Sequence, residues 1–230
     1  MATEVKQTEQ VTRKTSEERV VEGTQQFWSK NSKFIMYAVT AVVLIVGGWF
    51  AYDNYFRQPN EQKANEAIWK AEQYFRTDSF RLALNGDGAN PGFLRVISRY
   101  GGTRAGNLAR FYAGASYLQL GDFNNAVKHL KDFSTSEPLV NVKANGLLGD
   151  AYSELGKNAE AIAAYRKAGT LFPEDDSNSP EYLFRAAALS EKIGKTNDAI
   201  ELYKMVKEKY PQTQRGFEAD KYLARLGSFE

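Results

Sequence analysis

The sequence predicts an all-α protein: one N-terminal transmembrane helix carrying a right-handed solenoid of antiparallel helix pairs. Three observations predict it. Residues 34–52 form an apolar run without a single charge. Beyond it, Gly121, Gly156 and Gly194 stand 35 and 38 positions apart, with similar residues in register around each. Cysteine is absent and histidine occurs once in 230 residues, which removes thiolate chemistry and sites built on Cys or several His.

The apolar run reads FIMYAVTAVVLIVGGWFAY. At about 1.5 Å per residue it extends roughly 28 Å, close to the ~30 Å hydrocarbon core of a bilayer. Phe27, Trp28 and Phe34 precede or open it, and Trp49, Phe50, Tyr52, Tyr55 and Phe56 close it, as an interfacial aromatic belt requires. A cleaved signal would have a shorter apolar region and small residues at the cut, whereas bulky aromatics stand here. The run therefore reads as a signal anchor in contact with lipid. Lys30 and Lys33 lie against its start and Arg57 is the nearest basic residue after it, which favours an N-terminus inside. The small-residue pattern from Gly47 to Ala51 is one that can pair helices, and it leaves the oligomeric state open.

The tail over residues 1–33 is polar, and its first 14 residues read as disordered. Thr15 and Glu18 have capping-box spacing, and Val20, Val21, Thr24, Phe27 and Trp28 share a helical face. Either a short helix lies on the inner membrane surface or the spanning helix begins early.

Aligning the three glycines brings the flanks into register. Ala113-Gly114 with Tyr117, Leu148-Gly149 with Tyr152, and Ala186-Ala187 with Ser190 lie upstream. Ala126 with Leu130, Ala161 with Tyr165, and Ala199 with Tyr203 lie downstream, and Pro138, Pro173 and Pro211 mark the unit ends. Small pairs allow two helices to approach, glycine supplies the positive φ that stops the first helix, and alanine sits at the crossing. Proline cannot extend the second helix. These are the features of the tetratricopeptide repeat, whose period is about 34 residues, and the chain resembles that superfamily. The units run about 107–138, 142–173 and 180–211. The third departs from the pattern at Ala187 and Ser190, and the polar insert over residues 174–180 lengthens its period.

A helix over about 214–227, with Phe217, Tyr222, Leu223 and Leu226 on its apolar face, reads as a terminal cap. At the other end, the face of Ala64, Ala67, Ile68, Ala71, Tyr74 and Phe75 and that of Phe93, Ile97 and Tyr100 read as a degenerate repeat over about 60–103. The stretch 78–91 splits it. Its glycine-rich loop over 85–90 is no calcium loop, since the twelfth position, where a Glu ligand belongs, is Val96. The whole of 53–230 is thus one repeat domain, starting within about 25 Å of extended chain from the anchor.

No enzyme or cofactor reading survives. Gly194-Lys195-Thr196 resembles the end of a phosphate loop, but Leu189 stands where the loop needs its first glycine. His129 reads as solvated on a second helix, and Asp175-Asp176 sit in a loop. With 30 basic and 28 acidic residues, the net charge of +2 provides no field for nucleic acid.

A short tail, one anchor and repeats to the C-terminus, including the segment FYAGASYLQLGDFNNAVKHL, resemble the YfgM-like ancillary subunits of the bacterial SecYEG translocon. That resemblance implies a non-catalytic protein-binding module of the bacterial inner membrane, its N-terminus cytoplasmic and its repeats periplasmic. The implied partners are the translocon, a membrane-anchored periplasmic chaperone and unfolded clients. The alternative is a scaffold for cell-envelope or division machinery, and a third arrangement would place the repeats in the cytoplasm. The superfamily pattern assigns a concave groove to Leu108, Phe111, Ala115 and Leu118, then Lys143, Gly146, Asp150 and Ser153, then Glu181, Phe184, Ala188 and Glu191. Repeats that clamp a C-terminal carboxylate place Lys and Asn where this chain has Phe111 and Ala115, so that mode is not expected. The patch around Phe111 and Leu118 either binds an extended or helical peptide or packs on the degenerate repeat.

Overall fold

The computed structural model describes residues 16–228, with side chains from residue 25 onward except residue 26. The capping box at Thr15 and the first 14 residues lie outside the described residues. Two compact units result, one ending at Phe56 and one starting at Arg57.

The first unit is a single helix, α1 (Ser16–Tyr52). The residues on either side of Lys30 belong to it without a break, so the helix that holds the apolar run begins early and, among the described residues, no separate surface helix forms. Its apolar side chains are exposed, Phe34, Leu44 and Ile45 among them at 70–75%. Thr40 donates its hydroxyl to the Met36 carbonyl at 2.8 Å, which removes the run's polar group from its surroundings. Among the described residues this is the helix long and apolar enough to cross a membrane, and none of its apolar window is buried in the protein. The short connection after Tyr52, whose reach the sequence limits to about 25 Å, is a π-helical turn, Asp53–Arg57. Helical hydrogen bonding satisfies its backbone where an extended strand would need water or a partner.

The second unit is helical throughout. It contains α2 (Gln58–Arg76), α3 (Phe80–Asn85), α4 (Phe93–Tyr100), α5 (Arg104–Gln119), α6 (Phe123–Lys131), α7 (Pro138–Glu154), α8 (Asn158–Leu171), α9 (Ser179–Lys192), α10 (Thr196–Lys209) and α11 (Gln214–Arg225). Each helix packs most extensively on its sequence neighbour from α4 to α11, the contact pattern of a solenoid. Thr103 caps α5 by accepting from the Gly106 N–H at 2.9 Å, Asp122 caps α6 through Asn125 N–H at 3.2 Å, and Thr213 caps α11 through Gly216 N–H at 3.1 Å. Pro138 and Pro180 occupy the first turns of α7 and α9, where a missing N–H costs nothing, so Pro138 opens a first helix instead of closing the unit before it.

Gly121, Gly156 and Gly194 have φ of +78°, +69° and +79°. The N–H of the following residue reaches back to Tyr117, Tyr152 and Ser190 carbonyls at 2.9 Å in each case, which closes the first helix of every pair. Ala126, Ala161 and Ala199 are all fully buried. The close approach they permit is visible at Gly114 and Gly149, where an added Cβ would lie 2.5 Å from Leu130 and from the Tyr165 ring respectively.

Two apolar cores form. One joins Ala64, Ile68, Ala83, Leu84, Phe93, Val96 and Ala109 from α2 to α5. The other joins Ala161, Tyr165, Leu183, Phe184, Leu202, Tyr203, Val206 and Leu223 from α8 to α11. In the N-terminal core Phe93 stacks on Tyr112 at 5.3 Å, and the Phe75 ring meets both at an angle, at 6.4 and 5.1 Å. The stretch over residues 78–91 that splits the degenerate repeat holds α3, whose Ala83 and Leu84 are buried in this core, and the expected loop over 85–90 begins at its last residue. The remaining turn is organised by Asp87. Its carboxylate accepts from the Tyr74 hydroxyl at 2.6 Å and from the backbone of Ala89 and Asn90 at 3.0 and 2.6 Å. Those bonds, the Tyr74 hydroxyl foremost, hold the Asp87 carboxyl well below the usual carboxylate range. Its oxygens are thus turned inward to the loop's own donors. His129, expected to be solvated, is half-buried and stacks on Tyr117 at 5.5 Å; burial first, then Lys128, pushes its pKa down.

Candidate protein-binding face

The first helices α5, α7, α9 and α11 present one face of the repeat unit, and the groove positions distribute along it unevenly. Leu108 is half-buried against the N-terminal core. Phe111 is half-buried, with its ring 5.4 Å from Phe133 and 5.5 Å from Tyr112. Leu118 is half-buried and Lys143 is exposed. Ala115 is only 6% exposed, because its methyl group lies on the buried side of α5. It forms no groove wall.

Phe184 is also a core residue, not a groove residue. It is 5% exposed, with Tyr203 and Tyr222 edge-on at 5.2 and 5.0 Å and the Arg215 guanidinium 4.4 Å from its ring centre. The cover comes from α10 and α11. Gly146 lies under the Tyr182 ring of α9, which would overlap an added Cβ, so this position is closed by the next first helix.

Asp150 and Glu181 are brought together through Arg185. Asp150 Oδ1 accepts from the Tyr165 hydroxyl at 2.7 Å and from Arg185 Nη1 at 2.8 Å. Glu181 accepts from Arg185 Nε at 2.8 Å and from Arg215 Nε at 2.6 Å. Glu191 continues the series, accepting from Arg225 Nη2 at 2.6 Å. Each inter-helix pair is separated in sequence by 34 or 35 residues, one repeat. Ion pairs thus lace α7 to α9 once and α9 to α11 twice, at different heights along the helices. On the other side, Arg166 and Glu201 link α8 to α10 with the same separation of 35.

The electrostatics follow from this lacing. Burial would raise the Glu181 carboxyl, but bonds from Arg215 and Arg185 outweigh it and hold it below the ordinary range. Burial, then the bond to Asp150, drives the Tyr165 phenol well above its ordinary value. Arg185 stays fully cationic, because Glu181 and Asp150 more than offset its partial burial. Arg185, Arg215 and Arg225 are not among the groove positions read from the sequence. The signal that could have found them is an acidic residue and an arginine one repeat apart, a spacing that carries no meaning until the helices are known to stack. Among the described residues no group of His, Asp and Glu side chains could hold a metal ion.

A tetratricopeptide repeat-like domain model matches residues 25–145, more than half of the chain. The chain belongs to the tetratricopeptide repeat-like family. Further tetratricopeptide repeat models match residues 142–175 and 181–213. Tetratricopeptide repeats are a protein-interaction scaffold, typically without catalysis, and this chain shares that architecture. No curated protein matches the chain in sequence. Among solved structures, the nearly identical TPR-like repeats of a candidate kinesin light chain from Podosopora anserina align with a TM-score of 0.54 at 15% identity. They cover 72% of this chain and 86% of that one, and a single-substitution variant of the same protein aligns equally well over 85% of its length. At that identity the likeness concerns the fold.

Proposed function

We propose that this tetratricopeptide repeat-like protein is a membrane-anchored, non-catalytic docking module that serves protein export. In this reading it is ancillary to the SecYEG translocon, with a membrane-anchored periplasmic chaperone and unfolded clients as its partners. The observation that carries the anchoring is α1, whose apolar window has no cover among the described residues. The export role draws on the resemblance of the whole layout to YfgM-like subunits. Residues 34–52 cross the bacterial inner membrane with the N-terminal tail in the cytoplasm, and residues 53–230 form the periplasmic repeat domain. Phe111, Leu118 and Lys143, with Leu108 beneath them, form the part of the first-helix face open to a peptide, while Asp150 and Glu181 frame it from the laced end.

Photo-crosslinking from position 111, 118 or 143 in native membranes tests the partner. Adducts with the translocon channel or a periplasmic chaperone are expected; adducts with neither, together with copurification of division or envelope-assembly factors, would favour the scaffold alternative. A reporter enzyme fused after Glu230 tests orientation: activity in the periplasm is expected, and activity in the cytoplasm would overturn the placement.

A further inference from the structure

The helix α11 is built as the first helix of another unit. Gly227 lies 33 residues after Gly194, with φ of +76° against +79°. The Ser228 N–H reaches the Leu223 carbonyl at 3.0 Å, as the Lys195 N–H reaches Ser190 at 2.9 Å. In the three earlier units this turn leads directly into a second helix. At the same 33-residue offset Phe217 takes the place of Phe184. Phe184 is 5% exposed beneath α10 and α11, whereas Phe217 is 65% exposed. Between α10 and α11 lies a cavity of about 480 Å³ bordered by Lys204, Lys207, Leu223 and Ala224. Among the described residues nothing covers this face.

We infer that the open face of α11 is covered by α11 of a second copy, in an antiparallel pair with its two-fold axis between residues 220 and 221. The face itself selects that occupant. Phe217, Asp220, Lys221 and Ala224 recur at helical i, i+3, i+4 and i+7 spacing and are all exposed. The axis sets Phe217 against the partner's Ala224, a large side chain on a small one, at the mouth of the cavity that Ala224 borders. It also sets Asp220 against the partner's Lys221, so charges of opposite sign meet twice. A parallel pair would stack Phe217 on its own copy and like charges on like. The contact is one helix face on another, below the roughly 1,200 Å² of a standard stable interface, so the pair is weak in solution. Two copies held in one membrane would meet at higher effective concentration.

The chain has no cysteine, which makes the test direct. In the full-length protein in detergent micelles or membranes, mild oxidation of K221C gives a disulfide-linked dimer, and K128C, on exposed α6, does not. Adding F217E to K221C lowers the yield by about tenfold or more, since it places a carboxylate where an aromatic ring is buried. Sedimentation gives an independent readout. D220K weakens the dimer by up to about fivefold, and D220K/K221D restores it although both variants lose the Asp220–Lys207 pair. Equal crosslinking from K221C and K128C, a yield unmoved by F217E, or no recovery in the double variant would each overturn the proposal. So would crosslinking from position 221 only to a different protein.

Discussion

Gly149 sets a close approach between α7 and α8, and the cost of filling it can be reasoned from two opposing effects. Replacing a mid-helix glycine by alanine gains about 0.5–1 kcal/mol of backbone entropy. The new methyl group would meet the Tyr165 ring at 2.5 Å, and the ring cannot withdraw without breaking its 2.7 Å bond to Asp150. Overpacking of this kind costs about 1–3 kcal/mol, so the clash prevails. G149A is expected to lower the urea midpoint with an unchanged m-value. Titration gives a second test at this scale. The Glu181 carboxyl is held below its unfolded value, so its stabilisation is complete above a pH of about 4.3 and is lost as pH falls through the folded pKa. Tyr165 is shifted upward, so its contribution is complete below a pH of about 10 and declines as pH rises beyond it. Unfolding free energies measured against pH should flatten on the acid side in E181Q and on the alkaline side in Y165F.

Between helices, the decisive residue is Phe184. A groove residue replaced by alanine would lose binding and keep stability. A core phenylalanine loses about 3–5 kcal/mol, and F184A is expected to show that loss in chemical denaturation, with α9 to α11 most affected. The lacing arginines contribute less. A double-mutant cycle on Asp150 and Arg185, whose side chains are 26% and 44% exposed, should return a coupling of about 0.2–1 kcal/mol that shrinks with added salt. These two cases show how far sequence reading reaches. The turn glycines and crossing alanines are legible because each is dictated by its own pair of helices: a positive φ at one position, a methyl-sized gap at another. Phe184 is not, because part of its cover belongs to α11, one unit further on. Phe217 fails the opposite way, assigned to an apolar face but exposed, with no helix over it among the described residues. Helix α3 escapes notice because its six residues, FRLALN, are too few to display a period, and the arginines because their partners lie a full repeat away. Local rules are readable, and rules that cross from one unit to the next are not.

For the molecule as a whole, the anchor and the repeats make separate claims. If α1 spans the bilayer, the protein remains with the membrane on alkaline carbonate extraction, and deleting residues 34–52 releases it. The repeats carry a different consequence, one that arises from their having two cores. Val142, the largest fully buried side chain of α7, belongs to neither apolar cluster. A gap of about 260 Å³ opens between α6 and α7, bordered by Leu130, Phe133, Asn145 and Leu148. The repeats are therefore one compact unit whose two apolar blocks lie in series, joined at a thinner seam. Hydrogen exchange should reveal protection falling in two steps, with α6 and the start of α7 opening at lower free energy than either block. A pull on the chain would be felt first at that seam, which would yield like a fuse and leave the block at each end folded.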